Sequence, residues 1–130
     1  MLNMIANAHL KQFEHNKNFI KYRISDYKNE SFHDWEITVT FYAVIHLIEA
    51  VLSNCCKVEN VLNHENRFSE MCNNPRIFDK RIMMMYTSLK NLSNAARYNG
   101  VAYVEINDAK KAQEYLEDLE IALITYLKIN

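Results

Sequence analysis

His46 and Glu49 stand three residues apart and Tyr42 stands four before His46. An α-helix through this stretch therefore lines a phenol, an imidazole and a carboxylate along one side. Trp35, seven residues before Tyr42, extends the same stripe. Later in the chain Tyr86, Ser93 and Arg97 repeat the spacing beside a leucine seam, and the two stripes are expected to meet. Between them, His64-Glu65-Asn66-Arg67 puts an imidazole and a guanidinium on adjacent turns of a helix. Arginine offers a forked donor matched to phosphate, and histidine titrates at about 6.5, near enough to neutrality to move protons. These are the groups that metal-independent RNA cleavage requires: one takes a proton from the 2′-hydroxyl while others stabilise charge on the phosphate. The expected proton-transfer and phosphate groups are His46, His64, Arg67 and Arg97, supported by Tyr42, Glu49, Ser93 and Tyr98.

Each of these groups also has a structural explanation. His46 between Tyr42 and Glu49 fits a hydrogen-bonded core histidine. Arg97 near a helix end is favoured by the helix dipole alone. His64 and Arg67 can anchor their loop by bonding Glu49 or backbone carbonyls. Trp35, Tyr42 and Tyr86 read as core or interface anchors before base-stacking platforms, and Met83, Met84 and Met85 as core filling or a dimer face. A metal site would draw on His46, Glu49 and His64, but the di-iron pattern needs a second Glu-x-x-His copy and two further glutamates. No second copy occurs, so no metal or other cofactor is expected. Cys55, Cys56 and Cys72 lack a zinc spacing and read as inert thiols.

The elements that must position these residues follow from composition. With 130 residues the chain has room for one domain spanning 1–130, and 49% hydrophobic residues suffice for its core. Fifteen Lys and Arg against sixteen Asp and Glu leave a net charge of -1, so any nucleic-acid site must be local. The uncharged run from Ile37 to Ile48 is too short to span a bilayer. The amino terminus lacks a secretion pattern, and three cysteines suit a reducing cytosol, so a cytoplasmic protein is expected. One Gly and one Pro exclude a turn-rich strand architecture and point to long helices. The first is predicted over Asn3–Tyr27, with a broken stripe of Ile5, Ala8, Gln12, Phe13, Phe19 and Ile20. The second, capped by Ser31 or Asp34, begins near Trp35, runs to about Cys55 and is apolar almost all round. A short helix is expected around His64–Met71. Pro75 then starts the third long helix, Arg76–Tyr98, which places Ile82, Met85, Leu89, Leu92 and Ala96 on its seam. Gly100 stops it, Val101–Ile106 is weakly extended, and Asn107 or Asp108 caps a fourth helix with Ala112, Leu116, Leu119, Leu123 and Tyr126 inward. The result is an all-α, up-and-down four-helix bundle with a short extra helix between helices 2 and 3.

The run from Asp34 to Ala50 (DWEITVTFYAVIHLIEA), then His64-Glu65-Asn66-Arg67, Tyr86-Thr87-Ser88-Leu89 and Ser93 to Tyr98 (SNAARY), resembles an HEPN-type domain. The likeness covers the chain from the first to the third long helix. More narrowly, it is similar to small HEPN-like proteins with a Trp, Phe-Tyr, His, Glu-Ala helix. The resemblance implies a dimerising helical bundle acting on RNA, in a toxin, phage-defence or CRISPR setting, or a non-catalytic companion of a nucleotidyltransferase. Active HEPN ribonucleases carry an Arg followed five positions later by a His. Here the residues at that distance from Arg23, Arg67, Arg76, Arg81 and Arg97 are Lys28, Cys72, Arg81, Tyr86 and Ala102. Ribonuclease activity would thus need a rearranged set of groups, and the alternative is a non-catalytic protein-interaction module or dimeric structural partner.

Overall fold

Asn3 starts the first helix by accepting a hydrogen bond from the Ala6 amide at 2.7 Å, which satisfies one of the free donors at a helix amino end. A computed structural model describes residues 2–23, 32–99 and 105–128, which are all-helical with no strand among them. Helix α1 spans Met4–Asn18 and widens into a π-helical turn at Phe19–Arg23; the expected extension to Tyr27 lies outside the described residues. Its buried stripe is Ala6, Phe13 and Ile20, with His9 partly buried among them, whereas the expected members Ala8 and Gln12 face outward. The buried stripe thus falls on a different side of the helix from the expected one, with Ala6 fully enclosed.

Helix α2, His33–Cys56, starts two residues before Trp35. No side chain caps it; Asp34 instead lies in its first turn, where the helix dipole favours a carboxylate. Ser31 lies outside the described residues. Thr38 and Thr40, buried among apolar neighbours, donate to the carbonyls of Asp34 and Glu36 at 2.8 and 2.7 Å. Lys57 ends the helix in the left-handed region at φ 59°, and Val58 N–H returns to the Leu52 carbonyl at 3.1 Å. By length and composition alone α2 is apolar enough to cross a membrane. In the fold, however, Ile37, Phe41, Val44, Leu47, Ile48, Val51 and Leu52 are all sealed within the protein.

The short helix α3, His64–Cys72, is capped by Asn63, which accepts from the Asn66 amide at 2.8 Å. Helix α4, Lys80–Asn99, begins later than expected. Pro75 lies in a turn, and Asp79 starts the helix by accepting from the Ile82 amide at 2.9 Å. Gly100 and residues 101–104 lie outside the described residues. Helix α5, Ile106–Ile124, is capped by Glu105, two to three residues before the expected Asn107 or Asp108; Asp108 closes the box by accepting from the Glu105 amide.

α1, α4 and α5 all pack on α2, and α4 also packs on α5, which is why α2 is apolar all round. The register of α1 on α2 is set at one end. Asn3 Nδ2 donates to the Ser53 carbonyl at 3.0 Å, Ser53 Oγ donates to Asn3 Oδ1 at 3.1 Å, and the Asn3 amide donates to Asn54 Oδ1 at 3.1 Å. The two helices run antiparallel from this clamp. Six residues along α1 and seven back along α2, they bring His9 against His46.

Candidate functional site

A seam of polar side chains crosses α2 from α1 to α4. At the α1 end His9 Nδ1 lies 2.9 Å from His46 Nδ1 and 3.4 Å from Glu49 Oε2. The other carboxylate oxygen, Glu49 Oε1, accepts from Arg67 Nη2 at 2.9 Å and from Arg67 Nε at 3.3 Å. Arg67 is buried and Glu49 nearly so, so the forked pair sits in low dielectric and loss of one partner would strand a charge.

Arg67 also reaches His64, with Nη1 2.8 Å from His64 Nδ1. A guanidinium can only donate, so this contact assigns the tautomer. His64 Nδ1 is the acceptor and the ring proton resides on Nε2. Protonation of His64 would have to occur on the nitrogen that Arg67 occupies. In agreement, its pKa is lowered, first by burial and then by the charges of Arg67, Lys90 and Arg97, against a smaller opposing effect of Glu49. The ring stacks on buried Phe41 with centroids 5.9 Å apart. His46 is likewise held below the ordinary histidine range, by burial first and then by His9, with Glu49 opposing and Arg67 adding.

Beyond His64 the seam becomes a groove of about 570 Å³ between α3 and α4, whose lining includes His64, Glu65, Phe68, Thr87, Lys90 and Asn94. Arg97 stands on the same side. Its guanidinium carbon lies 5.8 Å from the ring centres of Phe41 and Tyr42 and 5.4 Å from that of Tyr98, within cation–π range. Nη1 donates to Tyr42 Oη at 3.2 Å, Nη2 to Asn94 Oδ1 at 2.8 Å and Nε to the Ser93 carbonyl at 3.4 Å. Tyr98 is 78% exposed and Tyr42 40% exposed, so both ring edges reach solvent.

The expected set therefore converges only in part. Glu49, Arg67 and His64 form one connected chain, which His46 joins through His9, and Tyr42, Arg97 and Tyr98 form a second group joined to it through Phe41. Ser93 is fully buried and its hydroxyl makes no hydrogen bond within the protein, so a substrate on the surface cannot touch it; of its expected roles it has the supporting one, accepting from Arg97 through its carbonyl. Of Trp35, Tyr42 and Tyr86, expected as core or interface anchors, only Tyr86 is sealed in the core, and Trp35 is 61% exposed. His64 does not join His46 and Glu49 as a third ligand, because its Nδ1 faces Arg67; His9 takes that place. His9 was legible in principle, since it lies four residues from both Ile5 and Phe13 and so on the inward side of α1. Lys90, one turn before Asn94, has the same standing on α4. Burial pushes the Cys55 and Cys56 thiols up, in keeping with unreactive cysteines. Compared with known proteins, the chain matches no family, no curated protein and no solved structure.

Proposed function

We propose that the chain is an HEPN-like RNA-binding protein: α1, α2, α4 and α5 form its up-and-down four-helix bundle, α3 fills the connection, and single-stranded RNA lies along the face between α2 and α4. The observation that carries this reading is the placement of Arg97 among Tyr42 and Tyr98, with Lys90 and His64 beside it. Exposed aromatic rings next to cations are the chemistry that holds unpaired nucleotides, the rings by stacking and the cations by phosphate contact. A local face of this kind is what a protein of net charge -1 requires. The preference for RNA over DNA rests on the resemblance of the α2 and α4 segments to HEPN domains.

Binding is favoured over cleavage by the state of the histidines. His64 Nδ1 is occupied by Arg67, and Nε2 already carries its proton, so His64 donates a hydrogen bond to a phosphate more readily than it accepts a proton. Arg67 is committed to Glu49, and His46 Nδ1 to His9. Fluorescence anisotropy with a labelled short single-stranded RNA at low salt tests the reading. The wild-type protein is expected to bind with an affinity that falls as salt rises. Arg97→Ala and Tyr98→Ala are each expected to weaken binding by roughly ten-fold, about 1–3 kcal/mol per lost stacking contact, with the helical circular-dichroism signal retained. Equal affinity in wild type and both folded variants would sink the proposal and leave the exposed Tyr42 and Tyr98 face to a protein partner.

A further inference from the structure

We propose that His9, His46 and Glu49 form a binding site for one divalent transition-metal ion of the zinc class, at the end of the seam remote from the α2–α4 face. The donor set is two imidazoles and one carboxylate, a combination that zinc and ferrous ions accept with a further position left for water or substrate. One ligand atom from each residue lies within 4.8 Å of the other two. The His9 Nδ1 to His46 Nδ1 separation of 2.9 Å and the His9 Nδ1 to Glu49 Oε2 separation of 3.4 Å bracket the edge of about 3.3 Å between donors on one tetrahedral ion with bonds of roughly 2.0–2.1 Å. Two imidazoles that present the same nitrogen to each other can share only one proton. A carboxylate oxygen close to the same pair supplies a third donor, so three donor atoms lie near enough to share one ion.

The surroundings also fit. Arg67 holds Glu49 by Oε1 alone, which leaves Oε2 turned to His9 and restricts the carboxylate's rotation; a fixed outer partner of this kind is a regular feature of metal centres. The Asn3 clamp on Ser53 and Asn54 fixes α1 so that His9 arrives opposite His46 from a second helix. The His9 side chain is 26% exposed and that of Glu49 12%, so an ion can enter and keep a coordination position open. The Arg67 charge opposes a cation nearby, and the site is accordingly expected to bind zinc reversibly. His33 and Glu36, 3.5 Å apart, provide an internal contrast, since they form a histidine–carboxylate pair with no third donor grouped with them among the described residues.

The test uses the full chain stripped with a chelator and dialysed, titrated with zinc by isothermal calorimetry and with cobalt by visible absorption. One ion per chain is expected, with ligand-field bands of a low-coordinate cobalt centre. His9→Ala removes a partly exposed ligand on α1 without emptying the core, and is expected to weaken zinc at least ten-fold with unchanged helical content; Glu49→Gln is expected to weaken it as well. His33→Ala is expected to leave the titration unchanged. Absence of saturable binding overturns the proposal, as does binding that survives His9→Ala or is lost in His33→Ala, which would place the ion elsewhere. RNA affinity of His9→Ala is expected to equal that of wild type, so this site and the RNA-binding face fail or stand separately.

Discussion

The two ends of the polar seam use the same residue types in opposite ways. At the α1 end, two histidines and a glutamate turn their donor atoms on one another, with His9 and His46 nitrogens 2.9 Å apart. At the α4 end, His64, Lys90 and Arg97 are all positive or proton-donating and stand among aromatic rings, with the carboxylate of Glu65 as the one acidic group lining the groove. The nearly buried carboxylate of Glu49 makes the difference. Glu49 collects lone pairs at one end, while Arg67, which it holds, passes positive charge towards the other. One end is suited to a cation and the other to a polyanion, although barely two turns of α2 separate Tyr42 from Glu49.

The sharpest way to break this contrast is to remove the strut between the ends. Arg67→Met leaves Glu49 nearly buried without its forked partner and frees His64 Nδ1. Loss of one member of a buried ion pair costs roughly 3–5 kcal/mol; both side chains retain some solvent contact, so about 3 kcal/mol is expected, read as a fall in urea midpoint at constant slope. Glu49→Gln on the same background should recover part of that loss, because the stranded charge is gone. Equal destabilisation in the single and double variants would show that Arg67 acts by packing alone.

A smaller and one-sided effect is expected at Asn3. Asn3→Ala deletes the cap of α1 and its bonds to Ser53, and caps of this kind are worth about 1 kcal/mol. The consequence for function should fall on the His9 end only. Zinc affinity is expected to drop as α1 loses its register, while RNA affinity stays at the wild-type value. A parallel fall in both affinities would mean that the two ends are one site.

Much of this arrangement was legible in the residues before any fold was known. The step of three from His46 to Glu49 and the pairing of His64 with Arg67 are properties of single helices, and local periodicity reports them. That Arg67 would reach Glu49 was among the structural explanations open to it. The all-helical class followed from the scarcity of Gly and Pro. What periodicity cannot report is the rotation and register of one helix against another. Periodicity alone therefore places the inward stripe of α1 through Ala8 and Gln12, whereas the fold turns Ala6 inward and His9 partly so, which is how the second histidine of the pair arrives. Pro75 misled for a local reason. It is a good first-turn residue, but Asp79, three before Ile82, provides a side-chain cap that proline cannot, and the helix starts there. Ser93 lay on the expected polar stripe with Arg97, yet α4 is turned so that its hydroxyl faces the core and only its carbonyl serves the site.

The subtlest contrast is in how the two ends respond to acid. In the unfolded chain His46 and His64 both titrate near the ordinary value of about 6.5, whereas in the folded protein both are held lower, each by burial first. As pH falls through about 6.5 the unfolded chain takes up protons that the folded chain refuses, so stability declines with acidification and is fully present only above that value. His46→Gln and His64→Gln are each expected to flatten the dependence of stability on pH, measured by urea unfolding between neutrality and about pH 5 in the presence of a chelator. Salt should then separate the ends. The positive groups that lower His64 include Lys90 and Arg97, which stand at the solvent-facing groove, and added salt screens them. Burial comes first at both histidines, but the charges that act on His46, those of His9, Glu49 and Arg67, lie within the partly or fully buried seam, where salt screens little. High salt is therefore expected to flatten the slope in the His46→Gln protein, where His64 remains, more than in the His64→Gln protein; the opposite order would place the screened charges at the wrong end of the seam.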